Sequence, residues 1–170
     1  MKLLEYAKWT DTVAVYPASN TGSQLEFAYL ALGLCGEAAE LVEKVNYSKQ
    51  PHEEILAELG DVYWYAARLM HIEGMQSSAA EALNADYSQG FPYRHLIITT
   101  GRVGELVKKY IRDSTFRTLA FQKAMLDVFQ ALANVCGQLS TTPEGIMQMN
   151  VTKLESRKAR NVLHGAGDNR

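Results

Sequence analysis

The chain has 170 residues, of which 47% are hydrophobic, 21% charged and 9% aromatic, enough to bury a sizeable core in one domain or two closely packed halves. An ordinary charged fraction and four scattered prolines exclude disorder and collagen-like repetition. No apolar run reaches the roughly 18 residues of a membrane span, Met1–Glu5 lacks a secretory apolar core, and Cys35 and Cys136 are too few for a disulfide scaffold, so a cytoplasmic protein without membrane association is expected. The net charge of −2 is unevenly placed. From Thr152 to Arg170 five basic residues stand against Glu155 and Asp168, giving +3 and leaving −5 on residues 1–151. An acidic body with a basic tail suits a metal and a polyanion together, and argues against a stable nucleic-acid partner.

Helical periodicity dominates the chain. From Ser23 to Tyr47, the residues Phe27, Leu30, Leu34, Leu41 and Val45 share one face at about 100° per residue. From His52 to Ile72 the face is Ile55, Leu59, Val62, Ala66, Leu69 and Met70. Further helices are predicted from near Tyr93, Thr118 and Thr142, with boundaries at Tyr16-Pro17, Gln50-Pro51, Gly90-Phe91-Pro92 and Thr142-Pro143. Thr141 with Glu144 reads as a capping box for the last helix. No segment alternates as a strand does. The expected fold class is all-α, an antiparallel helical bundle.

Four acids stand out against this pattern. Glu37 and Glu40 are spaced i,i+3 on one helix, and Glu58 and Asp61 are spaced i,i+3 on the next. Taking Glu37 as zero, the apolar stripe of its helix lies within about 80°, and Glu40 lies about 60° to the other side. Glu58 is about 20° from Leu69, with Asp61 about 60° further round. Acids at the border of a core need compensation, either from lysines and arginines or from a hard divalent cation. Two such pairs on consecutive helices favour the cation. No histidine has a glutamate three residues before it, so the Glu-x-x-His pattern of di-iron bundles is missing, and oxygen-only ligation favours Mg²⁺ or Mn²⁺.

The run Gly33-Leu34-Cys35-Gly36-Glu37-Ala38-Ala39-Glu40-Leu41-Val42-Glu43-Lys44, followed by Glu58-Leu59-Gly60-Asp61-Val62-Tyr63-Trp64-Tyr65, resembles the MazG-like all-α nucleoside triphosphate pyrophosphohydrolases. The tail, Asn150 to Arg160 and on through Gly165 to Arg170, is similar to the C-terminal segment of small bacterial and phage members. The resemblance covers roughly residues 20–72 and 142–170. It implies Mg²⁺-dependent hydrolysis of a nucleoside triphosphate, a free deoxynucleotide in this reading, to the monophosphate and pyrophosphate. The ion would be held by Glu37, Glu40, Glu58 and Asp61. By the same match, Lys153, Arg157 and Arg160 would clamp phosphates and Asn150 would contact base or sugar. Some dUTPase-like relatives carry a further glutamate just before the first motif glutamate, where this chain has Gly36, which leaves Glu40 as the candidate base. Lys44 and Lys49 are candidate phosphate contacts, Trp64 and Tyr65 candidate stacking rings, and Glu43 a solvated or supporting residue. Relatives form dimers and tetramers, so a homo-oligomer is implied.

The stretch from about 74 to 139 exceeds a minimal member. Gly101-Arg102-Val103-Gly104-Glu105-Leu106-Val107-Lys108 echoes the first acid helix, and Leu126-Asp127-Val128-Phe129 echoes the second. Lys108 stands where Glu40 would be, and Ala124 where Glu58 would be. The expectation is a single domain over 1–170: an active hairpin at about 20–72, a degenerate copy or insertion at about 74–139, and a basic helix and tail at 142–170. The rival reading is a catalytically weak helical bundle that binds nucleotides or a partner protein.

Overall fold

A computed structural model describes residues 1–47, 51–75 and 90–163, the side chain of Tyr47 excepted. Among the described residues all regular structure is helical. Helix α1 spans Leu3–Trp9 and runs into a 3-10 turn at Thr10–Val13. Then follow α2 (Gln24–Tyr47), α3 (His52–Glu73), α4 (Pro92–Asp113), α5 (Thr118–Gln138) and α6 (Pro143–Ala159). The four long helices expected from periodicity are present, as is the last helix. Helix α1 and its 3-10 turn lie ahead of them, where the periodicity assigned no range.

The helix ends follow local chemistry. The Ser23 hydroxyl accepts from the Glu26 amide and caps α2. Helix α3 stops at Gly74, whose φ of +82° is the left-handed conformation that glycine adopts without a Cβ clash; the Met75 amide reaches back to the Met70 carbonyl at 3.1 Å. At the start of α6 the expected Thr141–Glu144 box is replaced by Thr142, whose hydroxyl accepts from the Gly145 amide at 3.1 Å, with Pro143 in the first helical turn. Proline at that position needs no amide partner and brings Thr142 into register as the cap.

Helices α2 to α5 form the bundle, with α2 lying against both α3 and α4, and α5 closing against α4 and α3. Cross-helix contacts show that neighbours run antiparallel. The end of α2 meets the start of α3 through Lys44 and Glu58, and the start of α2 meets the end of α3 through Glu26 and Arg68. Leu30, Leu34 and Leu41 from α2, Leu59, Val62 and Leu69 from α3, Leu96 and Val103 from α4, and Met125, Phe129 and Leu132 from α5 make the core. Phe27, Tyr110, Phe116 and Phe121 close one end with centroids 4.9–5.9 Å apart. Helices α1 and α6 pack on the outer side of α3. A Cβ on Gly60 would sit 3.1 Å from the Asn150 Cβ, so glycine there lets α6 lie close to α3.

Two buried charges tie this frame to the N-terminal segment. Arg68 on α3 and Glu26 on α2 are both fully enclosed and paired at 3.1 Å. Burial acts to raise the Glu26 carboxyl. Hydrogen bonds from Tyr16 and from the amides of Asn20, Gly22 and Thr21 outweigh it and hold the group below the ordinary glutamate value. A carboxyl lowered on folding contributes stability above its unfolded pKa and loses it as pH falls through the folded value. Glu26→Gln is therefore expected to cost about 3 kcal/mol at neutral pH by leaving Arg68 undercompensated. The gap from wild type should close as pH falls below about 4.5, as read by denaturant melts across the acid range.

Candidate metal and substrate site

The four acids meet where α2, α3 and α6 converge. Glu37, Glu40 and Glu58 each offer one carboxylate oxygen, and these three atoms lie within 4.8 Å of one another. Glu37 is half-buried, Glu40 exposed and Glu58 buried at 3% exposure. Asp61, one turn beyond Glu58, stands outside that triple but lines the same cavity as Glu37. Two lysines touch the group. Lys44 from α2 lies 2.5 Å from Glu58, and Lys153 from α6 lies 2.5 Å from Asp61. The compensation that the sequence left open between lysines and a cation is thus partly lysine.

The carboxylates are also close enough to repel one another, and Glu37 registers that repulsion. Burial raises its pKa, and repulsion from Asp61, Glu40 and Glu58 raises it further against the pull of Lys153, to about 8. An all-oxygen donor set of clustered carboxylates fits a hard cation such as Mg²⁺.

Beside the acids lies a cavity of about 350 Å³. Its walls are Tyr29 and Glu37 from α2, Asp61, Trp64 and Tyr65 from α3, Leu154 and Arg157 from α6, Leu163 beyond α6, and Val13, Val15 and Tyr16 from the N-terminal segment. The lining combines two acids, Glu37 and Asp61, with the rings of Tyr16, Tyr29, Trp64 and Tyr65 and with the buried Arg157. Tyr65 lies over Gly33, where a Cβ would come within 2.1 Å of its ring. That glycine of the first motif is therefore a seat for an aromatic wall.

The residues expected to bind substrate are distributed unequally. Arg157 lines the cavity. Lys153 lies on Asp61 and 3.5 Å from the Ala57 carbonyl. Asn150 is 2% exposed, accepting from the Tyr6 hydroxyl at 2.7 Å and donating to Asp61 at 2.9 Å, so its amide orients that carboxylate rather than facing the cavity. Arg160 is exposed at the end of α6, with its Nε 3.3 Å from the Ser156 carbonyl, and does not line the cavity. Lys44 approaches an acid instead of open space, and Lys49 lies outside the described residues. Glu43 is exposed. Trp64 and Tyr65 both reach the cavity, whereas Tyr16 and Tyr29 were missed. Tyr16 had registered only as a pre-proline boundary, and nothing local marks it as a wall.

In the second hairpin, Glu105 pairs with Lys108 and Lys109, and Asp127 lies 3.7 Å from Arg102. Each acid of the echo has a basic partner on its own hairpin, and Lys108 lies on an exposed surface away from the cavity.

Comparison with known proteins adds one relative. The chain is 26% identical over 167 residues to the "Gene 37 protein" of Mycobacterium phage L5, an alignment covering 92% of this chain and 89% of that protein. No family model matches the chain, and no solved structure matches it.

The raised Glu37 pKa has a consequence for stability. Between about pH 4.5 and 8 the folded chain holds a proton that the unfolded chain has released, so stability present at the acid end is lost as pH climbs through this window. Glu37→Gln removes the titration. In chelator, its Tm should match wild type near pH 4.5 and exceed it by about a few degrees above pH 8. An offset independent of pH in thermal melts would show that the four acids are not coupled.

Proposed function

We propose that the chain is a Mg²⁺-dependent hydrolase that converts nucleoside triphosphates, deoxynucleotides foremost, to the monophosphate and pyrophosphate, in control or cleansing of nucleotide pools. The observation that carries this reading is a three-carboxylate cluster whose Glu37 also lines an aromatic cavity shared with Asp61 and Arg157. The likeness of both acid motifs to the MazG-like family supports it.

Glu37, Glu40, Glu58 and Asp61 are the residues that would hold the ion. An ion held there would neutralise phosphate charge and lower the pKa of a bound water. The chain's own groups do the remainder. Glu40, the exposed member, is the candidate to take a proton from an attacking water. Lys153 and Arg157 present cationic groups from one face of α6, suited to oxygens that gain charge as the pyrophosphate leaves. Trp64 and Tyr65, with Tyr16 and Tyr29, give flat apolar surface for a nucleoside while the acids face its phosphates. Asn150 and Tyr6 hold Asp61 in place from below.

A second reading has an observation of its own. Lys44 and Lys153 already pair with Glu58 and Asp61, as they would in a bundle that binds nucleotides or a partner without an ion. Pyrophosphate release from a panel of deoxynucleoside triphosphates, with Mg²⁺ and with chelator, separates the two. Under the hydrolase reading release requires Mg²⁺, and Glu40→Gln or Glu58→Gln lowers kcat/KM by about a hundredfold or more. Glu105→Gln, in the second hairpin, should change it little. Release from no nucleotide, or equal losses from all three variants, would reject the hydrolase with its single active hairpin.

A further inference from the structure

One wall of the cavity comes from a segment with no regular structure of its own. Val13 closes the 3-10 turn, and Val15 and Tyr16 follow it before the chain turns back into α2 at Gln24. Such a segment stays in place only if something holds it, and the structure puts nearly all of the holding on one residue. Arg68 lies seven positions after Asp61 on α3, so two helical turns bring it to nearly the same face, within about 20°. Its Nε and Nη2 donate to the Tyr16 hydroxyl at 3.1 and 2.9 Å, and Nη2 also approaches the Asn20 side-chain oxygen at 2.8 Å. Its Nη1 bonds Asp11, which in turn contacts the His71 ring at 2.9 Å. The Tyr16 hydroxyl itself donates to Glu26 at 2.6 Å.

The backbone confirms that this arrangement is imposed. Ala18 and Asn20 have φ of +61° and +62°, a region side chains with a Cβ enter only at a cost. The loop stays there because Glu26 accepts from the amides of Asn20, Thr21 and Gly22 at 2.8–2.9 Å. Tyr16, so fixed, lies flat on Tyr29 at 4.6 Å and edge-on to Trp64 at 6.0 Å.

We infer that Arg68 is a positioning residue for the substrate cavity: by holding Tyr16 from beneath, it sets the N-terminal segment as the wall against which a nucleoside packs. The acids fix the phosphates, so loosening this wall weakens binding without disturbing the reacting groups. The inference rests on the hydrolase reading for its kinetic readout, and hydrogen exchange reads it independently of activity.

The test uses Tyr16→Phe, which keeps the ring and deletes the hydroxyl that Arg68 and Glu26 bond, beside Arg68→Lys, which keeps the charge and loses the fork. Arg68→Lys could unfold the chain, and Tyr16→Phe then carries the test alone. In Tyr16→Phe, amide exchange over residues 13–22 should quicken by about tenfold while amides in the middle of α3 are unchanged. KM for the preferred nucleotide should rise by about three- to tenfold with kcat within about twofold of wild type. Folded Arg68→Lys should show the same split. Unchanged exchange over 13–22, a fall in kcat at constant KM, or faster exchange with KM unaltered would each overturn the inference. If wild type turns over no nucleotide, the hydrolase reading fails, and the exchange measurement decides whether Arg68 holds the wall.

Discussion

Arg68 is a cation with no water around it, and a charge so placed has to be met by protein atoms from every side. The atoms that meet it come from parts of the chain far apart in sequence: Asp11 after α1, Tyr16 and Asn20 in the following loop, and Glu26 in the first turn of α2. Removing one partner leaves a buried charge exposed to a low dielectric, which costs several kcal/mol. The N-terminal segment therefore cannot leave α3 without a large loss, although it has no regular backbone ladder of its own. Helix α1, the loop and the start of α2 are held to α3 by one guanidinium as much as by apolar contact.

The same helix carries the opposite problem two turns earlier. Glu58 and Asp61 face Glu37 and Glu40 across the α2–α3 contact, and Lys44 from α2 and Lys153 from α6 pair with Glu58 and Asp61. Burial, with the neighbouring carboxylates, still raises the Glu37 carboxyl, to about 8. Helix α3 thus carries two clusters of charge, an arginine that meets the N-terminal segment and acids that face those of α2.

How much of this was legible depends on the reach of each interaction. The long helices follow from apolar spacing, because a 3.6-residue period is a property of neighbouring residues. The acid pairs were visible for the same reason, since Glu37 with Glu40 and Glu58 with Asp61 are one turn apart. Helix α1 is only seven residues long, too short for its periodicity to stand out, and it is packed in place by α3 and α6. Thr142 displaced Thr141 as the cap because Pro143 decides where the helix begins. Asn150 was matched to substrate by its place in the tail, yet the close approach that Gly60 permits turns its amide toward Asp61 and Tyr6.

By itself the sequence determined an all-α chain, the helices that carry the acids, and the oxygen-only character of the site, since each of these is written in local spacing and residue type. Only the tertiary structure decided which lysine meets which acid, that Tyr16 and Tyr29 wall the cavity, that Arg157 reaches it while Arg160 does not, and that Arg68 anchors the N-terminal segment. Those outcomes join residues separated by tens of positions. Their geometry is set by how closely α6 and the N-terminal loop can approach α3, and no short window of sequence contains that distance.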